Sequence, residues 1–345
     1  MEKQAEQVIR DYLADIPFLK VRGVRQRPSS SSLAPDLVMT LKRPDGEQRL
    51  IVEVKASGQP KTARAAVNQL LRYLVSDPEA YGVFVAPYIS PQAAAICTEA
   101  DIGYADLAGN CRLTFGQVYV FREGQPNPKR QKRELRSLYS PKAARVLRVL
   151  LVNVGRDKVW KVEALAKEAN VSVGQVSNVK RRLAEREWIE TGPEGFTLRS
   201  PEALLEEWSQ AYSYRQNRVH DYYSLQPIAQ VEAQLARACM GEGQRYALTG
   251  FSAAARLAPA VRGQRAMAYV QGELAPVVEQ LGLKPVDSGA NVSLFTPYDD
   301  GVFYGAEPSL DGSMVAAPVQ VYLDLKSYPG RGEEAATALL QQVIR

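Results

Sequence analysis

The stretch from Leu33 to Ser57, LAPDLVMTLKRPDGEQRLIVEVKAS, decides how the chain is read. Two strand-like apolar runs, 37–41 and 49–54, flank RPDGEQ. Short apolar runs bounded by turn residues mark strands, and Pro44-Asp45-Gly46 supplies turn chemistry, so the stretch is expected to form a hairpin. With the turn centred there, partner numbers sum to about 91. Asp36 is then expected opposite Lys55, one pleat from Glu53, with Asp45 at the far tip. Glu53 and Lys55 lie two apart and share a face, while Val54 points the other way. Asp36, Glu53 and Lys55 are therefore expected to converge.

Two carboxylates beside an ammonium suit a hard cation. Asp36 and Glu53, with the Val54 carbonyl, would hold Mg²⁺ or Mn²⁺. Lys55 would position or deprotonate the attacking water and offset phosphate charge. Around this core the reading is helix (2–14), hairpin, helix (KTARAAVNQLLRYLVSD), strand (YGVFVAPY), helix (SPQAAAICTEA, capped by Ser90 with Pro91 next) and strands (YADLAGNCRLTF, QVYVFRE). That order is α/β. In QLLRY, Gln69 and Tyr73 are four apart and share one helical face.

These residues resemble the PD-(D/E)xK nuclease superfamily. Pro35-Asp36 matches its PD, Glu53-Val54-Lys55 its ExK, and Gln69 to Tyr73 the QxxxY of RecB-like branches. The resemblance covers residues 1 to about 122. It implies a restriction-endonuclease-like mixed sheet flanked by helices, with Asp36, Glu53, Lys55, Gln69 and Tyr73 catalytic. Some members place a further acid on the first helix, where Glu2 and Glu6 stand; Glu6 is the one assigned here. The other reading of the same residues is a decayed nuclease fold that only binds nucleic acid.

Composition agrees. The 345 residues are too many for one core, and 46% are apolar, as in ordinary globular proteins. Three cysteines, Cys97, Cys111 and Cys239, are widely separated, which fits a reducing cytoplasm. The single histidine, His220, excludes zinc fingers, HNH chemistry and any His-based triad. It reads as a structural polar residue. No apolar run approaches the length of a membrane span. The net charge of +5 is a mild sign of a polyanionic partner.

The organisation read from the sequence is a nuclease-like domain (1–123), a basic linker (124–139), a winged helix-turn-helix (140–205) and an α+β C-terminal domain (206–345). In the linker Lys129, Arg130, Lys132, Arg133 and Arg136 face only Glu134, and they are expected to contact phosphates. In the third segment Asn170-Val171-Ser172 reads as the turn. Ser172 caps a recognition helix whose buried face is Val176, Val179 and Leu183. Gln175, Ser177, Asn178, Lys180, Arg181 and Arg182 are left for DNA: amides for adenine edges, cations for guanine or phosphate. TGPEGFTLR would form the wing.

In the last segment ALTGFSAAARLAP and APVQVYLDLKSYPGRGEEAA resemble the C-terminal region of AbiEi-type antitoxins of type IV toxin–antitoxin systems. That implies a DNA-binding repressor and a cognate protein partner encoded nearby. Gly250-Phe251-Ser252 also resembles the opening of nucleotidyltransferases. The following AMAYV lacks paired acids, and Asp299-Asp300 sits in a turn, so no transferase activity is assigned. Asp324, Arg331, Glu333 and Glu334 read as a helix with a polar loop, and GVFYG (301–305) as strand-like. Two functions stand open: a cytoplasmic DNA-binding protein with a metal-dependent nuclease-like domain, for DNA processing, recombination or defence, or a non-enzymatic repressor. A homo-oligomer is open to both.

Overall fold

The computed structural model describes residues 1–26, 34–126, 138–155, 158–258 and 265–344. By contact the chain separates into two compact units, Met1–Glu134 with Arg182–Glu187 and Leu135–Arg181 with Trp188–Arg345.

The first unit is a three-layer α/β fold. Its elements are α1 (Glu2–Leu13), β1 (Lys20–Gln26), β2 (Leu37–Arg43), β3 (Gly46–Val54), α2 (Pro60–Ser76), β4 (Tyr81–Ala86), α3 (Pro91–Glu99), β5 (Gly103–Asp106), β6 (Cys111–Phe115) and β7 (Val118–Arg122). The strands lie in sequence order. β3, β4 and β5 run parallel, joined through α2 and α3, and antiparallel pairs complete both sides. In β3 the alternation sends Leu50 and Val52 to a core with Ile9, Leu37 and Met39. Ile51 goes to a second core with Ala63, Ala66, Leu70 and Phe84. Pro60 and Pro91 start α2 and α3 at their first turns. Ser90 Oγ accepts the Ala93 amide at 3.3 Å, as expected of a cap.

The hairpin forms, but in a tighter register than expected. Leu37 pairs with Val52 and Arg43 with Gly46, so only Pro44 and Asp45 make the turn. Pro44 suits the first turn position, and Gly46 resumes the strand at φ +142°, which a side chain would resist. Continued one step, this register carries Asp36 next to Glu53 rather than to Lys55. β1 had no counterpart in the sequence reading. YADLAGNCRLTF is not one strand either: Asp106 accepts the amides of Ala108, Gly109 and Asn110, each at 2.9 Å, and folds the chain into a loop before β6.

The second unit opens with three helices, α4 (Pro141–Val152), α5 (Val162–Glu168) and α6 (Val173–Glu185, whose residues from Arg182 on group with the first unit), then a hairpin of β8 (Ile189–Gly192) and β9 (Gly195–Leu198). Ser172 Oγ accepts the Gln175 amide at 3.2 Å. Asn170 takes φ +50° in the turn before it. Val176, Val179 and Leu183 are buried, as the periodicity predicts. Gly195 must be glycine: a Cβ there would lie 2.4 Å from the Trp160 carbonyl.

Beyond α7 (Pro201–Ala211) come β10 (Arg218–Tyr223), α8 (Ile228–Gly241), β11 (Arg245–Leu248), α9 (Gly250–Leu257), β12 (Ala266–Gln271), α10 (Leu274–Gln280), β13 (Lys284–Pro285), β14 (Val292–Thr296), β15 (Glu307–Pro308), β16 (Met314–Val315), α11 (Pro318–Lys326) and α12 (Gly332–Leu339). The sheet order is β13-β10-β14-β12-β11-β16-β15. Within 301–305 the expected strand is instead a 3-10 turn, Asp300–Phe303, because Asp299 Oδ1 accepts the Gly301 amide at 2.8 Å. Among the described residues no helix is long and apolar enough to cross a membrane.

Candidate functional site

β2, β3 and α2 bring the charged residues of the opening stretch together. Asp36, 4% exposed, accepts the Val54 amide on Oδ2 at 2.8 Å. Glu53 is fully buried, and its Oε2 lies 2.5 Å from Lys55 Nζ. Lys55 Nζ also donates to Gln69 Oε1 at 3.4 Å, and Gln69 Nε2 donates to Tyr73 OH at 2.7 Å. The four-residue spacing of Gln69 and Tyr73 thus makes a chain of contacts that ends on the lysine. Glu53 Oε1 is buried without a hydrogen-bond partner.

That orphan oxygen has electrostatic consequences. Burial pushes the Glu53 carboxyl above the usual glutamate range, the hydrogen bond from Lys55 opposes it, and the Asp36 charge adds to the rise. A buried acceptor without a donor costs about 1–3 kcal/mol. A site that keeps one has a lone pair free for an incoming electropositive group. Among the described residues no cluster of three or more His, Cys, Asp or Glu ligands occurs. A cation here would have two side-chain carboxylates and would draw its other oxygens from main chain, water or substrate.

A cavity of about 340 Å³ opens in front of Asp36, lined by Met1, Glu2, Lys3, Gln26, Asp36 and Val54. The acid of α1 that faces it is Glu2. Glu6 is held by Arg10, which donates Nε and Nη2 to its Oε1 at 2.9 and 2.8 Å. Asp45 sits at the exposed hairpin tip beside Arg43.

On α6, Ser177, Asn178 and Arg181 are exposed, and Gln175, Lys180 and Arg182 are half-buried. Arg181 Nη2 donates to Asn178 Oδ1 at 3.4 Å. Lys180 lies over the Phe196 ring of β9 at 5.1 Å. The linker cations Lys129, Arg130, Lys132 and Arg133 fall outside the described residues.

Sequence reasoning missed a buried polar network in the second unit. Asp324 of α11, read from sequence as part of a helix with a polar loop, is fully buried. It accepts Thr249 Oγ1 at 2.5 Å, Tyr212 OH at 2.6 Å, Tyr269 OH at 2.8 Å and Gln320 Nε2 at 3.1 Å. Gln320 Oε1 in turn accepts Arg148 Nε and Nη2 of α4 at 2.9 and 2.6 Å. Arg148 is 1% exposed and lies over the Trp208 ring at 5.1 Å. The available signal was an arginine inside the apolar run VLRVLL. Asp299 pairs with Arg145 and Asp300 with Gln271, so neither forms a paired-acid site. His220 lies 3.4 Å from Thr296 Oγ1, and burial, with Arg218, lowers its pKa.

Residues 197–345 match a family model described as "Transcriptional regulator, AbiEi antitoxin, Type IV TA system". No curated protein matches the chain. A solved structure of EndoMS in apo form is similar at 14% identity, over 30% of this chain and 44% of that one, with a TM-score of 0.22. The chain thus spans less than half of that protein's length, and a likeness at this score carries no weight for function.

Proposed function

We propose that the chain is a DNA-binding transcriptional regulator of the type IV antitoxin kind, acting in the cytoplasm beside a cognate toxin encoded nearby. The observation that carries this reading is the match of residues 197–345 to the antitoxin model. It is supported by the order α4, α5, α6 and the β8–β9 hairpin, which is that expected of a winged helix, and by Ser177, Asn178 and Arg181 of α6, which face solvent. Gln175 and Asn178 read base edges near the helix N-terminus, and Arg181 and Arg182, a turn further on, serve the backbone. The test is selection of a binding site from random duplexes, followed by competition against unselected DNA. Gln175→Ala with Asn178→Ala should lower the preference for the selected site by about 1–3 kcal/mol per lost contact. If no site can be selected, the regulator reading falls.

A second reading is favoured by one observation, the buried and unpartnered Glu53 Oε1 beside Asp36. It makes the first unit a metal-dependent nuclease of PD-(D/E)xK type. Asp36, Glu53 and the Val54 carbonyl would hold Mg²⁺ or Mn²⁺, which supplies polarisation of the phosphodiester and a more acidic water. Lys55, held by Glu53 and Gln69, would orient the attacking water and place a positive charge against the phosphate. Gln69 in turn is fixed by Tyr73. Cleavage of single-stranded, duplex and junction DNA with either metal tests it, with Asp36→Ala as the control. Cation binding without cleavage of any form would leave a binding platform.

A further inference from the structure

The outer strands of the first sheet carry a feature that neither reading uses. Val21 and Val24 of β1 pack into the α1 core beside Met39 and Leu41 of β2. The register then sends Lys20, Gly23 and Arg25, with their partners Lys42, Thr40 and Val38, to the opposite face. That face is open along β1. Lys20, Gly23, Arg25 and Lys42 are exposed, while the core under α2 lies over the inner strands, on Ile51 and Phe84. A Cβ built on Gly23 would meet nothing within 4 Å. Gly23 borders the bulge in β1, yet its φ is not in the left-handed region, so the bulge does not demand a glycine. A strand glycine that its own fold does not require marks a place where another backbone comes close.

Charge decides what fits this strip. The neighbouring cations each have an acid: Arg22 has Glu47, Arg43 has Asp45 and Arg49 has Asp77. Lys20, Arg25 and Lys42 have no ion-pair partner among the described residues. Lysines and bulges also protect sheet edges from pairing, and β1 is an edge. Lys42 stands on β2, which is paired on both sides, so edge protection does not call for it. The strip leads to the carboxylates. Val38, the partner of Arg25, is two residues from Asp36 along β2, about 7 Å, and Lys42 is six residues away, about 20 Å, at ~3.4 Å per residue. Gln26, next after Arg25, lines the cavity in front of Asp36. A line of unpaired cations about 20 Å long suits an extended polyanion, and it spans about six steps of a nucleic-acid strand at ~3.4 Å each.

We infer that the open face of β1 and β2 is a track for the sugar–phosphate backbone of one DNA strand. Lys20, Arg25 and Lys42 meet its phosphates, Gly23 lets it come close, and the track delivers the strand to Asp36 and Glu53. Phosphate contacts carry no sequence information, so the track positions DNA without reading it. The inference rests on the nucleic-acid reading of the chain but not on cleavage.

The test uses the full chain and a short labelled duplex of unselected sequence, with affinity read by fluorescence anisotropy across a salt series. Lys20→Gln, Arg25→Gln and Lys42→Gln together should lower the slope of log K against log salt by about 2.7, with about 0.9 from each alone. Between about 50 and 200 mM salt the parent should therefore lose about fortyfold more affinity than the triple variant. Lys20→Arg with Lys42→Arg should keep the parent slope. Gly23→Tyr has room in the free chain and favours the strand. It should weaken DNA binding although every cation stays in place. An unchanged slope in the triple variant, or parent affinity in Gly23→Tyr, overturns the track. So does polyglutamate that competes for the strip as well as DNA does, since the face would then serve an acidic protein. A parent that binds no DNA overturns the nucleic-acid reading itself, which separates the two failures.

Discussion

Replacing Lys55 by methionine isolates the electrostatics of the carboxylate site, because the methionine keeps most of the stem and loses the ammonium. Glu53 is 0% exposed and Lys55 28% at the side chain, and Glu53 has one cation at 2.5 Å with an orphan oxygen on its other side. Removing one partner of a fully buried ion pair costs about 3–5 kcal/mol. Lys55 keeps contact with water, and Glu53 can escape by taking a proton, so the expected loss at neutral pH is about 2 kcal/mol. The sign with pH follows from the raised Glu53 pKa. Without Lys55, which lowers it, the Glu53 pKa of the variant stands higher still, and only above that pKa does the variant carry an uncompensated carboxylate and suffer the full loss. As pH falls through it, Glu53 becomes neutral and the loss fades. All three tryptophans, Trp160, Trp188 and Trp208, lie in the second unit, so their fluorescence is an internal control that should not move. Hydrogen exchange of β3 and β4 amides reads the first unit, and about 2 kcal/mol appears there as roughly thirtyfold faster exchange. Glu53→Gln added to Lys55→Met should recover most of the loss. A loss independent of pH, or one that the second substitution fails to recover, would refute the account of Glu53 as a strained buried anion.

Calorimetric titration with Mn²⁺ should give binding that Asp36→Asn or Glu53→Gln abolishes. That binding should weaken as pH falls, from a higher pH than an ordinary glutamate would show, since the proton competes at a raised pKa. Replacing Lys129, Arg130, Lys132 and Arg133 by alanine should flatten the slope of log K for DNA against log salt; an unchanged slope would remove the linker from the interface. Asp324→Ala leaves two tyrosine hydroxyls, a threonine hydroxyl and an amide without their acceptor. At about 1–3 kcal/mol per unsatisfied group, with partial repairing between Tyr212 and Tyr269, the second unit should lose about 3–5 kcal/mol in urea unfolding followed by tryptophan fluorescence.

What was legible in the sequence was local. Two short apolar runs about a Pro-Asp-Gly turn gave the hairpin, and helical spacing gave the Gln69–Tyr73 pair and the buried face of α6. The register was misjudged because proline can close a turn with one residue beside it, which composition does not disclose. β1 escaped because all of its residues are exposed or half-exposed and carry no apolar alternation. Between two acids on the first helix, Glu2 and Glu6, the choice turned on an Arg10 that holds Glu6 from one turn away. The Asp324 network was out of reach for a different reason. Its members are drawn from several helices and strands, and Arg148 and Gln320 stand 172 residues apart. No periodicity links positions so far separated.

That same contact sets how the protein can be divided. α4 opens the second unit, and its Arg148 is fastened to Gln320 of α11, inside the region that matches the antitoxin model. A fragment excised after the β8–β9 hairpin would carry a bare guanidinium on its apolar face. The remainder would keep an open slot above Trp208. Chimeras that exchange α6 between relatives, to test the proposed regulator, should therefore be joined ahead of Leu138, with α4 and α11 inherited from the same parent. Joins made after Leu198 should give aggregates rather than altered specificity.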